Sequence, residues 1–353
     1  MKGFLKNGGL FLLLAALTLW VIGKETDPKQ ILDAVTGANK LWLLAAVAAS
    51  ALFLCCEGRN LTRLLRASGC QAVRIGKGLH YACVGFFFSA VTPSASGGQP
   101  MQLYSMHRDG IDLANGSLAL LGELLSFQLV SAALAAGGFL LQRRFLAEQL
   151  GRGQYLLLGG MGLNLAAAAF ILLLLLRPGA VRRLSGLIVK LISRFSRKQG
   201  QRAEAALGVQ LAEYEGGAAQ LRQSPVLIVR TLMTTLLQLT AMYGSTYLVY
   251  RAMGFGDWGF LQVMALQAVL SVSVSVLPLP GAVGVSEGVF LLLFRAAMPG
   301  KAVRVFMVLS RTVSFYLPVM ATGILTAALR NTAVFPRSMA ALAPRVLKKP
   351  END

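Results

Sequence analysis

The chain has 353 residues, 55% hydrophobic and 14% charged, with a mean hydropathy of +0.62, which excludes an ordinary soluble domain and points to a multi-spanning membrane protein. Its net charge of +19 comes from basic residues set between apolar segments rather than on a face with interleaved aromatics, so it argues for membrane orientation and anionic headgroups and against nucleic acid. The four cysteines have no CxxC spacing, and there are two histidines, no HExxH pair and no GKS/T loop, so neither a metal nor a cofactor is expected and nucleotide-driven pumping lacks its parts.

Apolar segments run at 10–22, 41–56, 79–91, 113–141, 155–176, 226–250, 260–277, 285–298 and 302–329. The first follows Lys2 and Lys6 without a small-x-small cleavage site and reads as a retained span. A crossing helix needs roughly 20 residues, so 79–91 and 285–298 are too short to cross alone. Each flanks a proline-glycine break: FFFSAVTPSASGGQPMQ from Phe86 to Gln102, and SVLPLPGAVGVSE from Ser275 to Glu287. Irregular backbone persists at membrane depth only where protein or a water-filled cavity surrounds it. Pro93, Pro100, Pro278 and Pro280 stop helices, while Gly97, Gly98, Gly281 and Gly284 permit a tight path and leave amides bare for an anion. The plain alternative is a proline-kinked helix packed on its neighbours.

Lysine and arginine gather on the cytoplasmic side, and 57–78 holds five, 177–222 nine and 330–353 five. With 57–78 inside and 113–141 starting inside, 79–106 must enter and leave on one face; by the same parity 260–298 is a hairpin entered from the other. The expected fold is an all-α integral membrane protein, a polytopic helical bundle with two re-entrant proline/glycine hairpins in an inverted repeat. It forms one transmembrane domain, with a first half 1–176, a cytoplasmic basic linker 177–222, a second half 223–330 and a cytoplasmic tail 331–353, multi-pass in the cell membrane with both termini cytoplasmic. The main echo between the halves is Pro93, 185 positions before Pro278, each followed by two glycines. In the linker, Leu184, Leu187, Ile188, Leu191, Ile192 and Phe195 share a helical face opposite Lys190, Arg194, Arg197 and Lys198. That pattern fits a helix on an anionic leaflet or a solvated linker.

Ionisable residues inside spans are costly, which singles out Glu123 and Arg311. Each lies about 15 Å into its segment at 1.5 Å per residue, so the two are expected to meet near the midplane, between the hairpin tips, as a functional pair or a structural bridge. Glu287 opens the helix after the second break, either capping its amides with Ser286 or facing substrate. Arg59 and Arg230 sit near helix ends, where they snorkel or hold a lipid phosphate. The hydroxyls of Ser89, Thr92, Ser94, Ser96, Ser271, Ser273 and Ser275 have no His or Asp at useful spacing, which argues against a serine nucleophile and leaves no catalytic residue.

The motifs Thr92-Pro93-Ser94-Ala95-Ser96-Gly97-Gly98-Gln99-Pro100 and Pro278-Leu279-Pro280-Gly281-Ala282-Val283-Gly284-Val285-Ser286-Glu287, with Gly110, Glu123 and Arg311, resemble the flippase-like transmembrane family. That family comprises the membrane half of lysylphosphatidylglycerol synthetases (phosphatidylglycerol lysyltransferases) and stand-alone relatives. The chain departs from it at Leu124, where many relatives have arginine, and at Ala282, where a second glycine is usual. The resemblance implies translocation of an aminoacylated or related phospholipid between leaflets and a link to cationic antimicrobial peptide resistance. It makes Pro93, Gly97, Gly98, Gln99, Glu123, Pro278, Pro280, Gly281, Gly284, Glu287 and Arg311 the expected lipid-binding and translocation residues. Lysyl transfer from lysyl-tRNA belongs to a soluble domain that this sequence does not contain, so catalysis by the chain alone is not expected. Two rival readings are a lysyltransferase working with a separate soluble partner, and a non-transporting scaffold of a lipid-modifying enzyme.

Overall fold

The structure is a computed structural model that describes residues 28–92, 95–150, 154–177, 179–183, 185–186, 189, 215–216, 218–219, 224–275, 284–298 and 300–328. Helices and turns make up the described residues, without strands. The helices are α1 Pro28–Gly37, α2 Lys40–Ala67, α3 Ile75–Val91, α4 Gly98–Arg108, α5 Leu113–Leu141, α6 Arg143–Leu150, α7 Gln154–Leu176, α8 Pro225–Ala252, α9 Phe260–Val274, α10 Val285–Phe294, α11 Gly300–Arg311 and α12 Leu317–Ala328. Among the described residues, five helical segments are long and apolar enough to cross a membrane: α2, α5, 158–176 of α7, α8, and the run from α11 through α12. The first span at 10–22, most of the amphipathic linker pattern and the tail from 331 lie outside the described residues.

Two runs of elements repeat. Helices α2 and α8 each have 28 residues and begin 185 positions apart. Each leads through a seven-residue connection into a short apolar helix, α3 or α9, then a break, then α4 or α10 of 11 and 10 residues. Each run ends in a 29-residue helical segment, α5 or Gly300–Ala328. The spacing read from Pro93 and Pro278 is therefore carried by whole elements.

The two runs are inverted. Helices α2 and α8 pack along their length and antiparallel: the Asn39 amide donates to the Ala252 carbonyl at 2.8 Å at one end, and Asn60 Nδ2 donates to Thr235 Oγ1 at 2.9 Å towards the other. The short helices that follow them consequently stand at opposite ends. Helix α4 returns along α3, so that Lys77 Nζ near the start of α3 meets Asp109 Oδ2 just past the end of α4 at 2.7 Å, and Tyr81 donates to the same oxygen at 2.8 Å. Burial alone would raise the Asp109 carboxyl, but the hydrogen bonds from Lys77 and Tyr81 and the Lys77 charge outweigh it and hold it below the usual carboxylate range. In the second run Trp258, before α9, packs on Phe294 at the end of α10, with ring centroids 6.1 Å apart.

Close backbone approach explains several glycines. A Cβ on Gly98 would sit on Ser89 Oγ and 3.0 Å from the Gly85 carbonyl oxygen, and one on Gly85 would overlap the Gln102 amide. The α3–α4 hairpin is thus zipped by small residues, as helices in lipid commonly are. Gly98→Ala is expected to destabilise the hairpin by about 1–3 kcal/mol. Adding Ser89→Ala should recover part of that loss, since the nearest obstructing atom goes and the Gly85 carbonyl remains; hydrogen exchange of the α4 amides measures both.

The long segments differ from expectation in two places. Helix α2 does not stop at Cys56 but continues to Ala67, so Glu57, Arg59, Arg63 and Arg66 belong to the helix and not to a loop. Arg59 and Arg66 point outward and Asn60, Leu61, Thr62, Leu64 and Leu65 inward, an amphipathic pattern that a plain hydropathy run ends too early. The last segment is not one regular helix: residues 312–316 form a π-helical turn, with the Leu317 amide bonding to the Thr312 carbonyl. Pro318 follows at once and lacks the N–H that an α-helical ladder needs there.

Candidate functional site

The second break delivers Glu287 to Arg311. Gly284 has φ +90°, a conformation that L side chains rarely adopt. Its amide donates to Glu287 Oε2 at 2.6 Å and Ser286 Oγ donates to the same oxygen at 2.9 Å, while Arg311 Nε donates to Glu287 Oε1 at 2.9 Å. The side chains are 17% exposed for Arg311 and 6% for Glu287. Glu287 thus caps α10 and neutralises Arg311 together.

This corrects the expectation that Arg311 meets Glu123. Helix α5 and the segment Gly300–Ala328 have 29 residues each and are about 43 Å long, so residues about 15 Å in from opposite ends differ in depth by roughly 10 Å. In addition, α5 packs against α2, α4, α6, α7, α8 and α9, whereas α11, the π-turn and α12 pack against α1, α2, α3, α8 and α10.

Arg311 also touches the first hairpin through aromatic rings. Its Cζ lies 4.4 Å from the Phe315 ring centroid, a cation–π distance, and Phe315 and Tyr316 pack with Phe88, Val91 and Met101 of the first hairpin. The π-turn is therefore where elements of both hairpins converge.

Glu123 faces a different set of groups. On α2, Glu57 accepts a hydrogen bond from Gln102 Nε2 of α4 at 3.0 Å, and the Glu123 carboxyl is close enough to act on it electrostatically. Gln238 of α8, 0% exposed, lies beside Glu123, yet neither its amide atoms nor Glu123 Oε1 reach hydrogen-bond geometry. From this cluster a polar ladder climbs towards the α2 C-terminus: Ser126 and Thr235 hydroxyls at 3.0 Å, Asn60 on Thr235 at 2.9 Å, and Arg63 on Asn60 and Thr234 at 3.1 Å. Glu123→Gln is expected to be tolerated, with stability unchanged or raised by about 1 kcal/mol, because it removes a buried carboxyl whose Oε1 has no hydrogen-bond partner and which makes no ion pair among the described residues; unfolding in detergent micelles checks it.

The expected site residues divide as follows. Glu287, Arg311 and Gly284 come together, and Glu123 stands apart. Pro93, Pro278, Pro280 and Gly281 lie outside the described residues. Gln99 points outward, and Gln102, one turn on, is the glutamine that enters the polar cluster. The bare-amide expectation fails at two glycines: the Gly97 amide donates to Thr92 Oγ1 at 2.8 Å and that of Gly284 to Glu287. The left-handed turn of the first break is taken by Ala95, φ +54°. Arg59 and Arg230 are exposed. Sequence reasoning missed Glu57, Arg63, Gln102 and Gln238; the available signal was that Glu57 and Arg63 share a face with Asn60 on a helix carried past Cys56. Among the described residues no three His, Cys, Asp or Glu side chains group as metal ligands.

Apolar spans with outward-facing leucines, inverted halves and polar clusters held between helices define a multi-pass helical membrane protein. The chain belongs to the family described as lysylphosphatidylglycerol synthase TM region, whose model matches residues 9–322. It is 22% identical over 308 residues to a UPF0104 membrane protein of Archaeoglobus fulgidus, across 84% of this chain and 89% of that protein. Membership is consistent with a role at membrane lipids.

Proposed function

We propose that the chain translocates an anionic or zwitterionic phospholipid, including the aminoacylated class, between leaflets, its headgroup passing between the two hairpins. The carrying observation is the π-turn, where Arg311 holds Glu287 of the second hairpin while Phe315 and Tyr316 pack on the first. π-turns recur at functional sites, and one that contacts both hairpins lets movement of either be felt by the other. In this reading the hairpins dip into the membrane from opposite faces, with the termini and 177–222 on the cytoplasmic side. The hairpin helices favour this: α3 and α4 are about 26 Å and 17 Å long at 1.5 Å per residue, each shorter than a core of roughly 30 Å, and the Lys77–Asp109 contact keeps their open ends together.

Reconstitution into liposomes carrying fluorescent phosphatidylglycerol, with leaflet-selective quenching, tests the proposal. Protein-dependent exchange that falls in Arg311→Gln and Glu287→Gln variants of equal insertion is the expected result; exchange no faster than in protein-free liposomes would refute it. Cysteines placed at 196 and 340 in a cysteine-free background should resist impermeant labelling from outside intact cells.

A further inference from the structure

Three arginines gather where α2 ends and α8 begins. Arg59 and Arg63 are one turn apart on α2, and both Arg59 and Arg230 of α8 act electrostatically on Arg63. Among the described residues none of the three has a carboxylate partner. Arg63 is held in position: Nη1 donates to Asn60 Oδ1 and Thr234 Oγ1 at 3.1 Å, and Nη2 to Thr234 Oγ1 at 3.2 Å. Thr234 is fixed in turn by its bond to the Arg230 carbonyl at 2.8 Å. A guanidinium has five N–H donors, so among the described residues Nε and one Nη2 hydrogen of Arg63 are left for a ligand. Arg63 and Arg230 line a cavity of ≈ 360 Å³ with Ser224, Pro225, Val226 and Leu227.

Leu227 also lines a second cavity, ≈ 210 Å³, between α2, α5, α7 and α8. Its walls include Leu64, Leu125, Leu129, Leu172 and Ile228. Leu129, Leu172 and Ile228 are exposed, so the groove opens on the lipid-facing side. A cationic pocket and an apolar groove that share Leu227 as a wall are together complementary to an amphiphile whose charge is negative.

We propose that the two cavities are one binding site for a glycerophospholipid with an anionic phosphodiester headgroup, the phosphate on Arg63 and Arg230 and an acyl chain along the leucine-lined groove. Arginine suits this role because its planar fork matches phosphate oxygens. An anion also offsets the mutual repulsion of three guanidiniums, which among the described residues no carboxylate pairs with. The site deepens the translocation reading by naming an anionic lipid and where it docks, and it rests on that reading for its purpose; its test reads binding rather than movement, so either can fail without the other.

The purified full-length chain is titrated with dioleoylphosphatidylglycerol, with dioleoylphosphatidylcholine and with free glycerol 3-phosphate, and bound molecules are counted by native mass spectrometry. Arg230→Gln is expected to weaken phosphatidylglycerol about tenfold or more, the loss of a charge-assisted contact, with phosphatidylcholine, whose own choline neutralises the same phosphate, weakened much less and Arg230→Lys intermediate. Leu172→Trp, which fills the groove, should weaken the lipid and leave glycerol 3-phosphate unaffected. Arg230 is exposed, so its variants fold even if Arg63→Gln does not. Unchanged phosphatidylglycerol binding in Arg230→Gln, or equal losses for both lipids, overturns the headgroup assignment. Glycerol 3-phosphate binding as tightly as the lipid, with Leu172→Trp silent, marks a free-phosphate pocket and overturns the lipid site.

Discussion

Replacing Arg311 with methionine is expected to destabilise the protein by about 3–5 kcal/mol, since removing one partner of a buried ion pair leaves the other charge uncompensated. Glu287, 6% exposed at its side chain, would keep the Gly284 amide and the Ser286 hydroxyl but lose its countercharge. The double variant Arg311→Met with Glu287→Gln should be markedly milder, because glutamine still offers an oxygen to the Gly284 amide, as in a capping box, and no uncompensated carboxylate remains. Chemical unfolding of these two variants and of Glu287→Gln alone in detergent gives the coupling energy; additive losses would show that the contact contributes nothing as a pair. The cation–π contact with Phe315 is lost in both Arg311 variants, so it cancels in the comparison.

The second large effect is expected at Gly58, where α2 crosses α3. A Cβ there would lie 2.6 Å from Leu79 Cα, 2.7 Å from Leu79 N and 3.0 Å from the Gly78 carbonyl carbon. All three are backbone atoms of a neighbouring helix, so no rotamer change relieves the overlap. Gly78 mirrors this, since a Cβ on it would overlap Thr62 Oγ1 and the Gly58 carbonyl oxygen. Gly58→Ala should cost about 3 kcal/mol, the upper part of the range for overpacking, by forcing the first hairpin away from α2 and loosening the Gln102–Glu57 contact. Gly76→Ala is the control: nothing lies within 4 Å of its Cβ, and alanine's better helix propensity should make it neutral or stabilising by up to about 1 kcal/mol. Thermal unfolding of the two variants in one detergent decides; equal midpoints would show that α2 and α3 are not locked at this crossing.

Both effects sit at contacts that span tens of residues of sequence, which bears on how much of the molecule was legible beforehand. The segment 113–141 coincides with α5 to the residue, because a predominantly apolar run bounded by Asp112 and Gln142 is a local property. The proline-glycine breaks were legible for the same reason. Glu287 as a cap could be read from its distance to Gly284, three residues along one chain.

The sequence by itself thus determined the all-helical, multi-span class, the positions of the breaks and the matching order of elements in the two halves, since hydropathy, helix stopping and capping act within a few turns of chain. Only the tertiary structure decided that Arg311 belongs to Glu287 and not to Glu123, because depth depends on the true length of each helix and on which helices pack. It decided likewise that Gln102 rather than Gln99 turns inward to Glu57, and that Gly58, Gly78 and Gly98 are glycines for lack of room. Those facts are set by atoms from distant segments meeting at two to three ångströms, and no local pattern carries such a distance.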